Sequence, residues 1–134
     1  MPSVLKEAPI VGESGWVKVD PFTMETELEG IYALGDVTSI PLPVGKPLPK
    51  AGIFAHYQAD VVSHRIACNI KGITPKMKFD GSGSCFIELG DGRAGYASGN
   101  FYVDPKPVVN MKGPSVIWHW GKALLEKWWL WHWF

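Results

Sequence analysis

The sequence lacks the features that would place it in several common classes of protein. Its 13 basic and 13 acidic residues cancel, so no excess of positive charge points to nucleic acid as a partner. Its two cysteines, Cys68 and Cys85, are too few for a disulfide scaffold and do not have the spacing of zinc ligands. No apolar run reaches the roughly 18 residues of a membrane-spanning helix, and the N-terminus has no signal-peptide core. We therefore predict no nucleic-acid partner and no metal site.

A glycine-rich nucleotide loop is also missing. A dinucleotide site carries Gly-x-Gly-x-x-Gly between a first strand and a helix. The only similar spacing is at residues 81–86, Gly-Ser-Gly-Ser-Cys-Phe, which has no third glycine and precedes a strand pattern. The 134 residues leave room for one domain or two small halves, and 46% of them are hydrophobic, which favours a folded chain over a disordered one.

The most informative stretch that is present is residues 30–36, Gly-Ile-Tyr-Ala-Leu-Gly-Asp. The apolar residues 31–34 followed by Gly35 and Asp36 predict a buried strand that ends in a tight turn. Gly35 lets the backbone pass close to a ligand, and Asp36 can accept a hydrogen bond from a ribityl or ribose hydroxyl. Ligands of open α/β sheets bind beyond the carboxyl ends of the strands, where this pair would lie. The alternative is an ordinary strand and turn.

A proline-rich loop and a helix follow. Four prolines between residues 41 and 49 predict an extended loop, which is either a surface linker or the border of a ligand site. Helical spacing of apolar residues predicts a helix over about 51–70. Lys50, Ala51 and Gly52 at its start would offer free N–H groups and the positive end of the helix dipole to a ligand. The alternative is a helix that only covers the sheet.

Strand patterns replace the helical pattern from Gly72 onward. Residues 84–89 and 93–98 flank Gly-Asp-Gly at 90–92, which predicts a β-hairpin. Residues 101–103 predict a third short strand.

The C-terminal tail holds six of the seven tryptophans, between Trp118 and Trp133. From about residue 120 its spacing predicts an amphipathic helix with Lys122 and Glu126 opposite the apolar face. Tryptophan favours the interface between membrane and water, so we predict a membrane-peripheral (monotopic) protein. The residues predicted to meet the membrane are Trp120, Trp128, Trp129, Trp131 and Trp133. The alternative is a tail that packs into the protein's own core or a dimer interface, and a homo-oligomer is compatible with the sequence.

Three stretches carry a resemblance to a known family. Residues 30–36, with Thr26 ahead of them, resemble the second flavin-binding motif of the pyridine nucleotide-disulfide oxidoreductase superfamily. Residues 49–59, Pro-Lys-Ala-Gly-Ile-Phe-Ala-His-Tyr-Gln-Ala, resemble a stretch of the sulfide:quinone oxidoreductases, whereas type II NADH dehydrogenases usually show Pro-Pro-x-Ala-Gln there. Cys85 stands where sulfide:quinone oxidoreductases tend to have a redox cysteine, although Phe-Ile follows it here instead of Pro-Leu. These enzymes also use C-terminal amphipathic structure to enter the membrane surface.

The resemblance implies an α+β fragment in two parts. Residues 1–71 would be the end of a Rossmann-like FAD-binding domain, with a strand, a loop and a helix. Residues 72–134 would be a small antiparallel β-hairpin region with the C-terminal amphipathic helix. The first flavin motif and the nicotinamide domain would precede this chain. Within it, the resemblance implies FAD binding by Gly35, Asp36, Lys50, Ala51 and Gly52, and a catalytic role for Cys85.

The implied reaction is two-electron transfer from a reduced sulfur compound, or from a nicotinamide donor, through FAD to a quinone at a membrane surface. One alternative is an NADH:quinone-type or other NAD(P)/FAD-dependent reductase, in which Cys85 is only structural. Another is a non-enzymatic fragment that binds lipid or a protein partner. Because half of the FAD site would be missing, we expect the isolated chain to be inactive and to bind FAD weakly or not at all.

Overall fold

A computed structural model describes residues 3–134 as a small α+β structure. The described residues form a three-stranded antiparallel sheet in the order β1-β2-β3 and two long helices. The elements in chain order are 3-10 turns at Ser3–Leu5 and Gly35–Val37, helix α1 (Gly52–Ile70), strands β1 (Ser82–Gly90), β2 (Arg93–Asn100) and β3 (Val108–Ser115), and helix α2 (Val116–Trp133).

Helix α1 confirms the helix predicted over about 51–70. Its buried apolar side chains are Phe54, Val61 and Val62, and their spacing along the chain gives the helix one face that packs against the core. Gly72 follows with a φ of +66°, the left-handed conformation that commonly ends a helix.

The buried strand predicted for residues 31–34 is wrong. Ile31 is exposed, and the segment pairs through a single bridge between Tyr32 and Glu25. Parallel pairing within residues 3–134 is limited to an isolated bridge between Val17 and Thr38, so no neighbouring strands bury both faces of this run. The predicted turn is present, because Gly35 has a φ of +69° and opens the second 3-10 turn. That residues 1–71 are part of a Rossmann-like domain therefore stays a prediction.

The predicted hairpin is confirmed by β1 and β2, which pair antiparallel. The third strand predicted at 101–103 is wrong, because Phe101 and Tyr102 leave the sheet. The Phe101 ring centroid lies 5.2 Å from that of Phe54, and the Tyr102 centroid lies 5.5 Å from that of Phe79. The third strand is instead β3, in which seven of eight residues are exposed, so its sequence has no alternating buried face to reveal it.

One hydrophobic core draws residues from both sides of the predicted boundary at residues 71 and 72. Phe79 lies in the same buried cluster as Val17, Met24 and Phe54. The other buried members of this cluster are Val19, Ile40, Leu42, Leu48, Val61 and Val62.

Helix α2 begins at residue 116 rather than at the predicted 120, and one of its faces docks on the sheet. The ring of Trp118 stacks on Tyr96 with centroids 5.0 Å apart. Glu88 of β1 binds both His119, at 3.2 Å, and Lys122, at 3.2 Å. Hydrogen bonds from His119 and then from Lys122 lower the pKa of the Glu88 carboxyl.

We expect Gly99→Ala to destabilise the sheet by about 3 kcal/mol, the upper range for an overpacked interior. A Cβ at Gly99 would lie 2.1 Å from the Val108 carbonyl oxygen and 2.8 Å from the Val109 Cα. These are backbone atoms of β3, so they cannot swing aside as a flexible side chain would. Urea unfolding of the purified chain measures the loss. Gly113→Ala on β3 is the control, because a Cβ added there would meet no atom within 4 Å. Equal stabilities of the two variants would contradict this account.

Candidate functional site

A cleft at the start of α1 brings together four of the five residues predicted to bind the cofactor. Gly35, Asp36, Lys50 and Ala51 line it, and Gly52 is the first residue of the helix beside it. The remaining residues that line the cleft are Thr38, Ile40, Leu48, Pro49, Phe54 and Gln58.

The Gly35 turn is held tightly against α1. The Gly35 N–H donates to Oε1 of Gln58 at 2.7 Å, and the Gly35 carbonyl accepts from the Thr38 hydroxyl at 2.8 Å. A Cβ at Gly35 would lie 3.1 Å from the Cβ of Ala55, and the positive φ disfavours any side chain there. Asp36 follows on the exposed side of the turn, so its carboxylate is accessible to a ligand.

Lys50 binds the same turn through the backbone carbonyls on its opposite side. Its ammonium group donates to the backbone carbonyls of Asp36 and Thr38, the latter at 3.3 Å. It also lies 3.4 Å from the centroid of the Trp16 ring, which is a cation–π contact. In this structure Lys50 therefore stabilises the turn, and its contact with a flavin stays a prediction.

The N-terminus of α1 faces this cleft without a side-chain cap. Ala51 occupies the N-cap position in an extended conformation and offers no side-chain hydrogen bond. The first N–H groups of a helix have no partner within the helix, and they carry its positive dipole end. This end of α1 can therefore bind a carbonyl or an anionic group.

Cys85 lies on the wall of an apolar cavity of about 300 Å³ between the start of α1 and the sheet. The cavity shares Pro49, Ala51 and Phe54 with the cleft, so the two spaces adjoin. A second cavity, of about 390 Å³, also contains Cys85 and is bordered by Leu125 and Trp129 of α2. Cys85 thus lies where the two cavities, the sheet and the C-terminal helix meet, and it does not line the cleft itself.

The two cysteines are not joined in this structure. Both Cys68 and Cys85 are free thiols, and Cys85 is exposed. The Cys68 sulfur lies 3.5 Å from Nε2 of His64 on the same helix. Any disulfide partner of Cys85 would have to lie outside the residues described here or require a rearrangement.

Sequence reasoning missed three side chains that hold Gly35 or Lys50 in place: Trp16, Thr38 and Gln58. Gln58 had a usable signal, because a polar residue on the buried face of a helix needs a partner. Trp16 and Thr38 had none, since their contacts depend on a loop returning to the helix start.

The outward face of α2 is an apolar stripe. We define the stripe as Ile117, Trp120, Leu124, Trp128 and Trp131, whose exposed fractions run from 48% to 82%. Trp133 is also exposed, although its ring centroid lies 5.8 Å from that of His56, and its contact with the membrane stays a prediction. Trp129 differs from that prediction: it is half-buried on the inner face, where its ring centroid lies 4.9 Å from that of His56.

Over residues 3–134, neither helix combines the length and the apolar character needed to cross a membrane.

The chain matches no protein-family model. Over 105 residues it is 27% identical to the mitochondrial sulfide:quinone oxidoreductase of Mus musculus, a match that covers 78% of this chain and 22% of that protein. A chain in the cryo-EM structure of the Tetrahymena thermophila mitochondrial ATP synthase F1Fo tetramer has a similar fold, with a TM-score of 0.59 and 24% identity, over 71% of this chain and 22% of that one. This second likeness shows the fold alone.

The chain thus spans about a fifth of the length of each of these two proteins. The first match supports a distant relation to sulfide:quinone oxidoreductase and, through it, to flavoprotein oxidoreductases.

Proposed function

We propose that the chain is the C-terminal part of a membrane-peripheral oxidoreductase that passes electrons from sulfide, or another reduced donor, through FAD to a quinone. We call the longer polypeptide the full-length protein. The observation that carries the proposal is the junction of the cleft with the apolar cavity at Pro49, Ala51 and Phe54. A flavin and a quinone that exchange electrons must lie close together, and two adjoining spaces would allow this.

The residues at the rim of the cleft, rather than its interior of about 10 Å³, suit one part of FAD. Gly35 has no side chain and a positive φ, so the backbone there can approach a ligand closely. The exposed Asp36 can accept a hydrogen bond from a ribityl hydroxyl. The uncapped start of α1 can face the pyrimidine edge of the flavin, where negative charge develops on reduction. When bound, FAD would supply the two-electron redox chemistry.

The cavity fits the head of a quinone. Its lining is almost entirely apolar, which suits a ring with few polar groups, since ligand pockets are mostly apolar with a few polar atoms that fix orientation. Val109 and Met111 of β3 form one side of it. The exposed stripe of α2 would place the protein on the surface of the membrane whose interior dissolves quinones.

With sulfide as the electron donor, Cys85 would form the disulfide that sulfide attacks. A disulfide between Cys85 and a cysteine in the preceding part of the full-length protein would be attacked by sulfide. One sulfur would become a persulfide and the other would leave as a thiolate. A nucleophilic sulfur acceptor would then take the outer sulfur of the persulfide, and the two thiolates left behind would give two electrons to FAD as the disulfide forms again. Cys85 suits this role because its side chain is exposed and borders the cavity beside the cleft.

The choice of donor is tested by quinone reduction with the purified full-length protein. We expect sulfide to support reduction of a soluble quinone and NADH to support little. Reduction by NADH with none by sulfide would favour the NADH:quinone-type alternative. Absence of both activities, with no bound flavin, would favour a non-enzymatic lipid- or partner-binding fragment.

We expect Asp36→Ala to lower the FAD occupancy of the full-length protein while its far-UV circular dichroism is unchanged. A lost hydrogen bond to a charged group corresponds to about 1.5–3 kcal/mol of binding free energy. The measurement is FAD released per polypeptide, with Glu29→Ala as the control because Glu29 is an exposed carboxylate ahead of the same motif. Equal FAD content in all three proteins would assign Asp36 to the turn alone.

A further inference from the structure

Gln58 is the only polar residue among those that α1 buries. Its exposed fraction is 1%, while its neighbours on the buried face are Phe54, Val61 and Val62. Burying an amide costs free energy unless its polar atoms are hydrogen-bonded. A leucine would fill this position more simply, so the amide needs a specific explanation.

The explanation lies in the turn that carries Asp36. Oε1 of Gln58 accepts the Gly35 N–H at 2.7 Å, across 23 residues of sequence. Because the backbone group is a donor, the accepting atom must be the amide oxygen, which settles the orientation of the side chain. The bond joins the turn to α1, whose N-cap residue Ala51 lines the other side of the cleft.

The two attachments of this turn differ in their surroundings. Lys50 holds the carbonyl side of the turn, but it is exposed and its bonds compete with water. Gln58 holds the amide side from within the core, where a hydrogen bond is screened less. The position of Asp36 relative to the start of α1 therefore depends chiefly on Gln58.

We propose that Gln58 is a positioning residue for FAD: it fixes the Gly35 amide and so sets the Asp36 carboxylate and the start of α1 at the separation that the cofactor needs. This inference rests on the proposed function, because it concerns the same cleft. Gln58 is argued to act through Gly35 and Asp36.

The test compares FAD binding by variants of the full-length protein. Gln58→Met keeps an unbranched side chain of similar size but leaves the Gly35 N–H without its acceptor. We expect its dissociation constant for FAD to rise about tenfold, the order for one lost buried hydrogen bond, and the visible spectrum of the bound flavin to shift. Gln58→Glu keeps an acceptor oxygen and is expected to bind FAD more tightly than Gln58→Met. Val61→Ala is the control for destabilisation of α1, and we expect it to leave the dissociation constant unchanged.

A dissociation constant for Gln58→Met within twofold of the unmodified protein would overturn the inference, as would an equal rise in Val61→Ala. If the unmodified full-length protein binds no FAD, the proposed function itself fails, which is a different result. A second measurement does not depend on the folding of any variant: the rate of hydrogen exchange of the Gly35 amide in the unmodified 134-residue chain. Slow exchange supports the inference, and exchange at the rate of an exposed amide overturns it.

Discussion

Cys85→Ser is expected to abolish sulfide-dependent quinone reduction by the full-length protein while FAD remains bound. Serine has nearly the size of cysteine, so the wall of the apolar cavity is kept, but it cannot form the disulfide or the persulfide that the reaction needs. The loss should be complete within the detection limit, because no other thiol borders the described cavity. The measurement is the rate of quinone reduction with sulfide, together with the flavin content.

Cys68→Ser is the matched control for this substitution. Cys68 lies on α1 beside His64 and is not on the wall of the cavity, so its replacement should leave the rate unchanged. Full activity in Cys85→Ser would exclude a mechanism that uses this cysteine. It would favour the NADH:quinone-type or other NAD(P)/FAD-dependent reductase, in which Cys85 is only structural. Loss of activity in both variants would indicate general damage to the protein.

Replacing three residues of the α2 stripe with glutamine is expected to release the 134-residue chain from lipid vesicles. In the triple variant Trp120→Gln, Leu124→Gln and Trp131→Gln, three large apolar side chains no longer leave water on binding. Each fully buried large apolar side chain contributes about 1.5–3 kcal/mol, and about 1.4 kcal/mol corresponds to a factor of ten in affinity. Flotation with phosphatidylcholine vesicles should therefore fall by more than about tenfold.

The control replaces exposed apolar residues at another place in the chain. Ile66, Ile70 and Ile73 are exposed at or just beyond the end of α1, and their change to glutamine should leave flotation unaffected. The triple variant on α2 keeps Trp118 and Trp129, whose rings pack on Tyr96 and His56, so the helix should remain docked. Equal flotation of the unmodified chain and the α2 variant would exclude the stripe from membrane binding.

Local sequence patterns predicted the elements whose structure is determined locally. The helix at 52–70 has a buried face spaced at helical intervals, and the hairpin has Gly90, Asp91 and Gly92 in left-handed conformations at its turn. Strand β3 was missed because it is an edge strand with no buried face and contains Gly113 and Pro114. The run at 31–34 was assigned to a buried strand because its apolar residues match that pattern, but the described chain supplies no sheet around it.

The sequence predicted the separate parts of the cleft but not how they come together. Gly35 and Asp36 belong to one motif and the start of α1 to another, and the sequence alone indicated that each could meet a ligand. The turn and the start of α1 lie close together because Gln58 and Lys50 both bind the turn from distant positions in the sequence. Such contacts arise from tertiary structure and have no periodic signal in the sequence. The inner position of Trp129 has the same origin, since it is set by where α2 docks on β2 and α1.

The FAD content of the purified full-length protein tests the central claim most directly. The account predicts one non-covalently bound FAD per polypeptide, visible as a yellow protein and recovered on denaturation. It also predicts that the 134-residue chain alone retains little or none, since the glycine-rich loop of a complete dinucleotide site is absent from it. A colourless full-length protein that takes up no FAD would contradict the account, and a 134-residue chain with one tightly bound FAD would contradict its claim that the site is incomplete here.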